Sequence, residues 1–184
     1  MSVKSIGLFL WRVVILPSYF SVKIVKFLEV MKLAKGDFTK IVLKDVRQKE
    51  HQLTRIAAPE IHQLFKESVY DSLISWYSDY TPAFYSRTNN FMNVFQSAKT
   101  IVNGNLLIMQ VDSSSMMDYA GWFDQILDAS KAFDFMFMNG EHGHGRWMMY
   151  QSIPPFHIIS KDFESGFGGR VQKIIDDKAK KLFS

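Results

Sequence analysis

The apolar residues Ile61, Leu64, Phe65, Val69, Leu73 and Trp76 recur every three or four positions, and no other feature constrains this chain as much. That spacing lays one stripe along a helix of 3.6-residue period, so residues 60–77 read as an amphipathic helix that must bury its stripe. Upstream, Asp37 after Gly36 suits the N-cap of a helix running to about residue 57, with Phe38, Val42, Val46, Lys49, Leu53 and Ile56 along one side. Pro59 has no N–H and crowds the turn before it, so it is expected to end the first helix and open the second.

Beyond residue 77 the pattern changes. Residues 78–90 read as a loop, and residues 91–99 as a short helix or the start of a strand. Two β-prone runs, 100–102 and 106–111, flank Asn103-Gly104. An Asn-Gly pair between such runs predicts a hairpin whose central residues take positive φ. Residues 122–135 suit a helix with Phe123, Ile126, Leu127 and Phe133 inward. Residues 139–145 form a glycine-rich loop, residues 147–150 a possible third strand, and Pro154-Pro155 an extended turn. Gly166, Gly168 and Gly169 precede a closing helix with the stripe Val171, Ile174, Ile175, Ala179 and Leu182. Helices, a hairpin and more helices, without a βαβ series, predict an α+β fold: long amphipathic helices packed on a small antiparallel sheet.

The charge is unevenly placed. Residues 1–36 hold Lys4, Arg12, Lys23, Lys26, Lys32 and Lys35 against Glu29 alone, whereas the whole chain carries only +4. The chain therefore divides into a basic amphipathic extension, 1–36, and a nearly neutral α+β domain, 37–184. In the extension, residues 6–16 are mostly apolar but far shorter than the roughly 20 residues a spanning helix needs. Phe20, Ile24, Phe27, Leu28 and Met31 follow at helical spacing. That element is expected to pack on protein. Binding to a membrane surface or to nucleic acid is its alternative use.

Chemistry is sparse. With no cysteine, thiol catalysis, iron–sulfur clusters and thiolate zinc sites are excluded. Glu141, His142 and His144 form the one local cluster of metal-ligating types. They lack a helical His-Glu-x-x-His spacing, and glycines surround them. A small metal-dependent hydrolase using these three residues is one alternative reading; the expectation is a tight glycine turn. Gly166-Phe167-Gly168-Gly169 has neither the Walker spacing nor its lysine. No catalytic residue, cofactor or bound metal is expected, and the chain reads as a non-enzyme.

The aromatic residues point elsewhere. Residues 76–88 contain Trp76, Tyr77, Tyr80, Phe84 and Tyr85, with Pro82 and Arg87, and Met148-Met149 adds pliable apolar surface downstream. Tyr, Trp, Met and Arg are enriched where proteins meet one another. Trp76, Tyr77, Tyr80, Pro82, Phe84, Tyr85, Arg87, Met148 and Met149 are therefore the expected interface residues.

The phrase from Trp76 through Thr88, following a long amphipathic helix, resembles the tail-completion (neck, or head–tail joining) proteins of tailed bacteriophages of Gram-positive hosts. Several of these carry a Tyr-x-x-Tyr-x-Pro-x-x-Tyr-x-Arg-Thr phrase. Gly140-Glu141-His142-Gly143 and Pro154-Pro155 before the last helix resemble that family's ending. The likeness covers roughly residues 37–184. It implies a virion structural protein assembled in the host cytoplasm: a homo-oligomeric ring joining head to tail, in contact with connector and tail proteins. Around the DNA channel such a ring touches DNA only non-specifically, and no membrane is involved.

Overall fold

The fold follows from how these stripes find cover. The computed structural model describes residues 8–14, 36–81, 89–120, 126–142 and 150–183. Its elements are β1 (Leu8–Val14), α1 (Gly36–Ser78), a 3-10 helix (Asn90–Ser97), β2 (Lys99–Asn103), β3 (Leu106–Asp112), β4 (Tyr119–Ala120) and β5 (Ile126–Leu127). Then come α2 (Ala129–Phe133) continuing as a π segment (Asp134–Met138), β6 (Glu141–His142) and β7 (Tyr150–Gln151). The chain closes with α3 (Pro155–Asp162), a second π segment (Phe163–Phe167) and α4 (Gly168–Phe183). The fold is α+β, with long helices on small antiparallel sheets.

α1 is a single 43-residue helix, with Pro59 inside it. At about 1.5 Å per residue it spans roughly 65 Å. The expected break at Pro59 does not occur. Leu53, Ala57, Ile61, Phe65, Val69 and Leu73 are all buried at a spacing of four, so the stripe passes Pro59 without a change of phase. Packing on both sides therefore outweighs the one backbone hydrogen bond that proline removes. Ile56, expected on the stripe, faces outward.

α3 and α4 cover that stripe, their buried residues Ile159, Val171, Ile175 and Ala179 closing on α1. Phe163 meets Phe65 edge-on at 6.4 Å and stacks on Phe167 at 3.9 Å. Lys178 Nζ reaches Glu60 Oε2 at 2.6 Å, and Ser68 Oγ donates to Asp162 Oδ2 at 3.0 Å. The glycines expected to open the last helix instead lie within or just after the π segment of one helical run.

The main sheet has the order β1-β3-β2, antiparallel throughout. Alternation along β3 turns Leu107, Met109 and Val111 into the core. Asn103 pairs with Leu106, so the hairpin turn is Gly104-Asn105, one residue later than the expected Asn103-Gly104. Gly104 has φ +62°, and Asn89 is the one non-glycine with positive φ among the described residues. This fits a primed turn whose first central residue is glycine. The Ser97 hydroxyl accepts the Asp112 N–H at 2.9 Å and lies 2.6 Å from the Asp112 carbonyl, tying the 3-10 helix to the sheet.

β1 registers Leu8 with Asp112 through Val14 with Leu106, which brings part of the basic extension into this sheet. The helix expected around residues 20–31 lies outside the described residues. The helix expected over residues 122–135 is also revised: Ile126 and Leu127 pair with Ala120 and Tyr119. Helix begins only at Ala129, where Asp128 accepts the Ser130 N–H as N-cap. Ile126, expected inward, is instead exposed, while Phe133 is buried as expected. No described helix is long and apolar enough to cross a membrane.

Candidate functional site

The C-terminal end of α1 carries the first residues of the aromatic phrase. Helical geometry sends Trp76 to the buried side, where it is 4% exposed. Its indole lies flat on the His142 imidazole, centroids 3.8 Å apart and planes within 7°. Phe91 meets the indole at 4.7 Å and 69°, and Tyr77 at 5.0 Å and 90°, both edge-on. Such tilted and stacked pairs add about 0.5–1.5 kcal/mol each beyond the area they bury. Trp76 Nε1 is buried with no hydrogen-bond partner among the described residues.

His142 reaches this place through β6. It pairs with Tyr150 of β7, and its Nε2 lies 2.9 Å from Ser152 Oγ. Ser152 N donates to Gly140 O at 3.0 Å, closing the base of the β6–β7 ladder. Gly140 sits at φ +73°, and a Cβ there would meet Ser152 O at 2.2 Å. Glycine is required for both reasons. Tyr80 stacks on Tyr150 at 5.3 Å and 11°, and both rings tilt against His142.

The cluster continues into β4. Burial raises the Tyr119 phenol well above its ordinary value, and Tyr77 beside it adds to the rise. The Asn90 side chain and the Phe91 backbone only partly offset this. The Asn90 amide in turn accepts the Met117 N–H at 2.9 Å and donates to the Met117 carbonyl at 2.6 Å.

The expected interface set therefore divides. Trp76 belongs to the chain's own core and Tyr77 and Tyr80 are half-buried around it, which corrects the interface role expected of Trp76. Composition does not separate a core aromatic from an interface aromatic; only the helical phase of Trp76 does. Pro82, Phe84, Tyr85, Arg87, Met148 and Met149 lie outside the described residues. No family model matches this chain, and comparison with curated proteins and with solved structures finds no similar one.

The Glu141, His142 and His144 reading is not assembled by these contacts. His142 is buried under Trp76 and hydrogen-bonded to Ser152, Glu141 Oε1 lies 3.4 Å from the Asn139 amide, and His144 is outside the described residues. Among the described residues, no group of three or more His, Asp or Glu side chains is placed to hold a metal ion.

Ser152 and Phe91, central to the cluster, carry no sequence motif that would have announced them. Three large apolar side chains on the neighbouring segments are exposed. Met117, Ile126 and Ile153 are 69%, 74% and 59% exposed, the highest values among the described large hydrophobics. Met117 is held by Asn90 next to Phe91, Ile126 pairs beside Tyr119, and Ile153 follows Ser152.

Proposed function

We propose that this chain is a structural subunit of a phage neck, a tail-completion protein that closes into a ring between head and tail. The reading starts from the likeness of residues 76–88, 140–143 and 154–155 to that family. It is supported by one observation above the rest. Near the cluster that joins the first two of those phrases, Met117, Ile126 and Ile153 are the three large apolar side chains most open to solvent among the described residues. Large apolar side chains left open to solvent beside an aromatic cluster are the kind of surface that another polypeptide covers. A rigid aromatic base beneath them fixes the geometry that a repeated contact needs.

A ring arises when one face of each copy meets a different face of the next and the rotation closes. Met117 before β4, Ile126 on β5 and Ile153 after β7 would contribute to such faces. Imaging the purified full chain by negative stain tests this directly. Annular particles with a central channel are expected; isolated monomers at tens of micromolar, or two-fold dimers, would overturn it.

A further inference from the structure

The main sheet ends in two open edges. In the order β1-β3-β2, no described strand pairs with the outer side of β1 or of β2. Register decides which groups β2 presents there. Asn103 and Leu106 flank the hairpin turn, so they exchange ladder hydrogen bonds, as do Ile101 with Ile108 and Lys99 with Gln110. Between them, Thr100 and Val102 direct their N–H and C=O away from β3, to the open side. The same alternation turns the backbone groups of Leu10 and Arg12 outward on β1.

Proteins ordinarily protect an edge strand with a proline, a bulge or a charge placed along it. β2 has no proline, and its continuous register with β3 leaves no bulge. Its one charge is Lys99, whose ammonium lies 3.9 Å from Asp112 Oδ2. α1 lies against the face that carries Thr100, where His62 Nδ1 is 3.2 Å from Thr100 Oγ1. Val102 on that face is nevertheless 37% exposed, and Ile101 on the other is 45% exposed beside Ile108. β2 thus offers unpaired backbone groups flanked by exposed β-branched side chains, the form that strand addition uses.

We propose that this edge is a strand-pairing surface whose occupant is the β1 edge of a second copy of the chain, added in parallel so that the sheet continues from subunit to subunit. The direction follows from topology. β1 and β2 are both antiparallel to β3 and therefore run the same way. A rotation about an axis along the strands carries one subunit onto the next without reversing them, so β2 meets the neighbouring β1 in parallel. An antiparallel junction needs a half-turn and stops at two copies. Two unlike edges of one sheet are the complementary faces that a ring requires. The choice of a second copy rests on the ring reading; the open edge itself does not.

Val102→Pro and cysteine pairing test this in the full chain, which has no cysteine of its own. The Val102 N–H points away from β3, so proline there spares the β2–β3 ladder while removing an edge donor. The variant should melt close to wild type, yet assemble at least about tenfold more weakly in native mass measurements. Co-expressed Ile101→Cys and Arg12→Cys chains, treated with a short bismaleimide, should give a product at twice the 21.3 kDa chain mass. Either variant alone should give none. Only contact between chains yields that product, so the cross-link decides the matter even if Val102→Pro fails to fold.

A folded Val102→Pro protein that assembles as wild type does would overturn the proposal, and so would the absence of the mixed cross-link. Cross-linking of Ile101→Cys with itself would also overturn it, since β2 would then pair with β2 in a two-fold dimer. Ring closure is read separately by imaging. Rings without the mixed cross-link remove only the strand pairing, and the mixed cross-link in open filaments removes only the ring.

Discussion

Trp76 and His142 stand 66 positions apart in the chain, yet their rings lie parallel at 3.8 Å. This stack ties the end of the long helix to the β6–β7 ladder and brings the two aromatic-rich and glycine-rich phrases into one packed unit. Flat stacking of imidazole on indole excludes water from both rings. His142 Nε2 lies 2.9 Å from Ser152 Oγ, which orients the imidazole in the stack.

Trp76→Ala should destabilise the protein by about 3–5 kcal/mol, as removing a large buried aromatic does. His142→Ala should cost less, and the two losses should not add. A double-mutant cycle by urea denaturation is expected to give a coupling of about 0.5–1.5 kcal/mol. Full additivity would mean that the stack contributes nothing of its own.

Gly140→Ala should be among the most damaging single-atom-scale changes in the chain. The added Cβ meets a backbone carbonyl at 2.2 Å, and φ +73° is itself unfavourable for alanine. The positive φ alone costs about 1–2 kcal/mol, and the clash forces the Ser152 strand outward as well. A fall in melting temperature well beyond that of Gly104→Ala is expected in calorimetry. Equal falls would place the strain elsewhere, since at Gly104 the nearest obstacle is the movable His51 side chain.

Pro59→Ala tests the unbroken helix. Pro59 is exposed, so alanine loses no packing and restores an N–H able to reach the Arg55 carbonyl. Stabilisation by about 1–3 kcal/mol is expected, visible as a higher urea midpoint. A destabilised variant would indicate that the proline sets a bend on which the α1–α4 packing depends.

His62 links stability to pH. Burial and the nearby Lys66 charge both hold its imidazole below the ordinary 6.5. The unfolded chain therefore takes up this proton first, and the contribution is present above pH 6.5 and lost as pH falls toward the folded value. His62→Gln should reduce the loss of stability between pH 7.5 and 5.5 relative to wild type in urea titrations. An identical loss in both proteins would show that His62 takes no part.

Much of the helical scaffold was legible because burial follows period. The spacing of Ile61, Phe65, Val69 and Leu73, and of Val171, Ile175 and Ala179, fixes which face goes inward whatever partner covers it. Pro59 signals a break under a local rule about one hydrogen bond, but the stripe keeps its spacing of four across it and holds the helix together. Residues 126–127 misled because a short apolar run fits either period, and their pairing with Tyr119 and Ala120 is decided by the chain around them. The strand at residues 8–14 and the two π segments depend on tertiary packing that composition does not encode. At the site, aromatic density was visible, but its division into core and surface was not. Trp76 became core through its phase on α1 and through His142, a partner that no local pattern announces.

The mass of the particle formed by the full chain under native conditions bears most directly on the proposed ring. A closed ring would appear as one integral multiple of 21.3 kDa that persists on dilution to the micromolar range and survives Trp76→Phe, since Trp76 is buried in the chain's own core. A single species at 21.3 kDa across that range would contradict it.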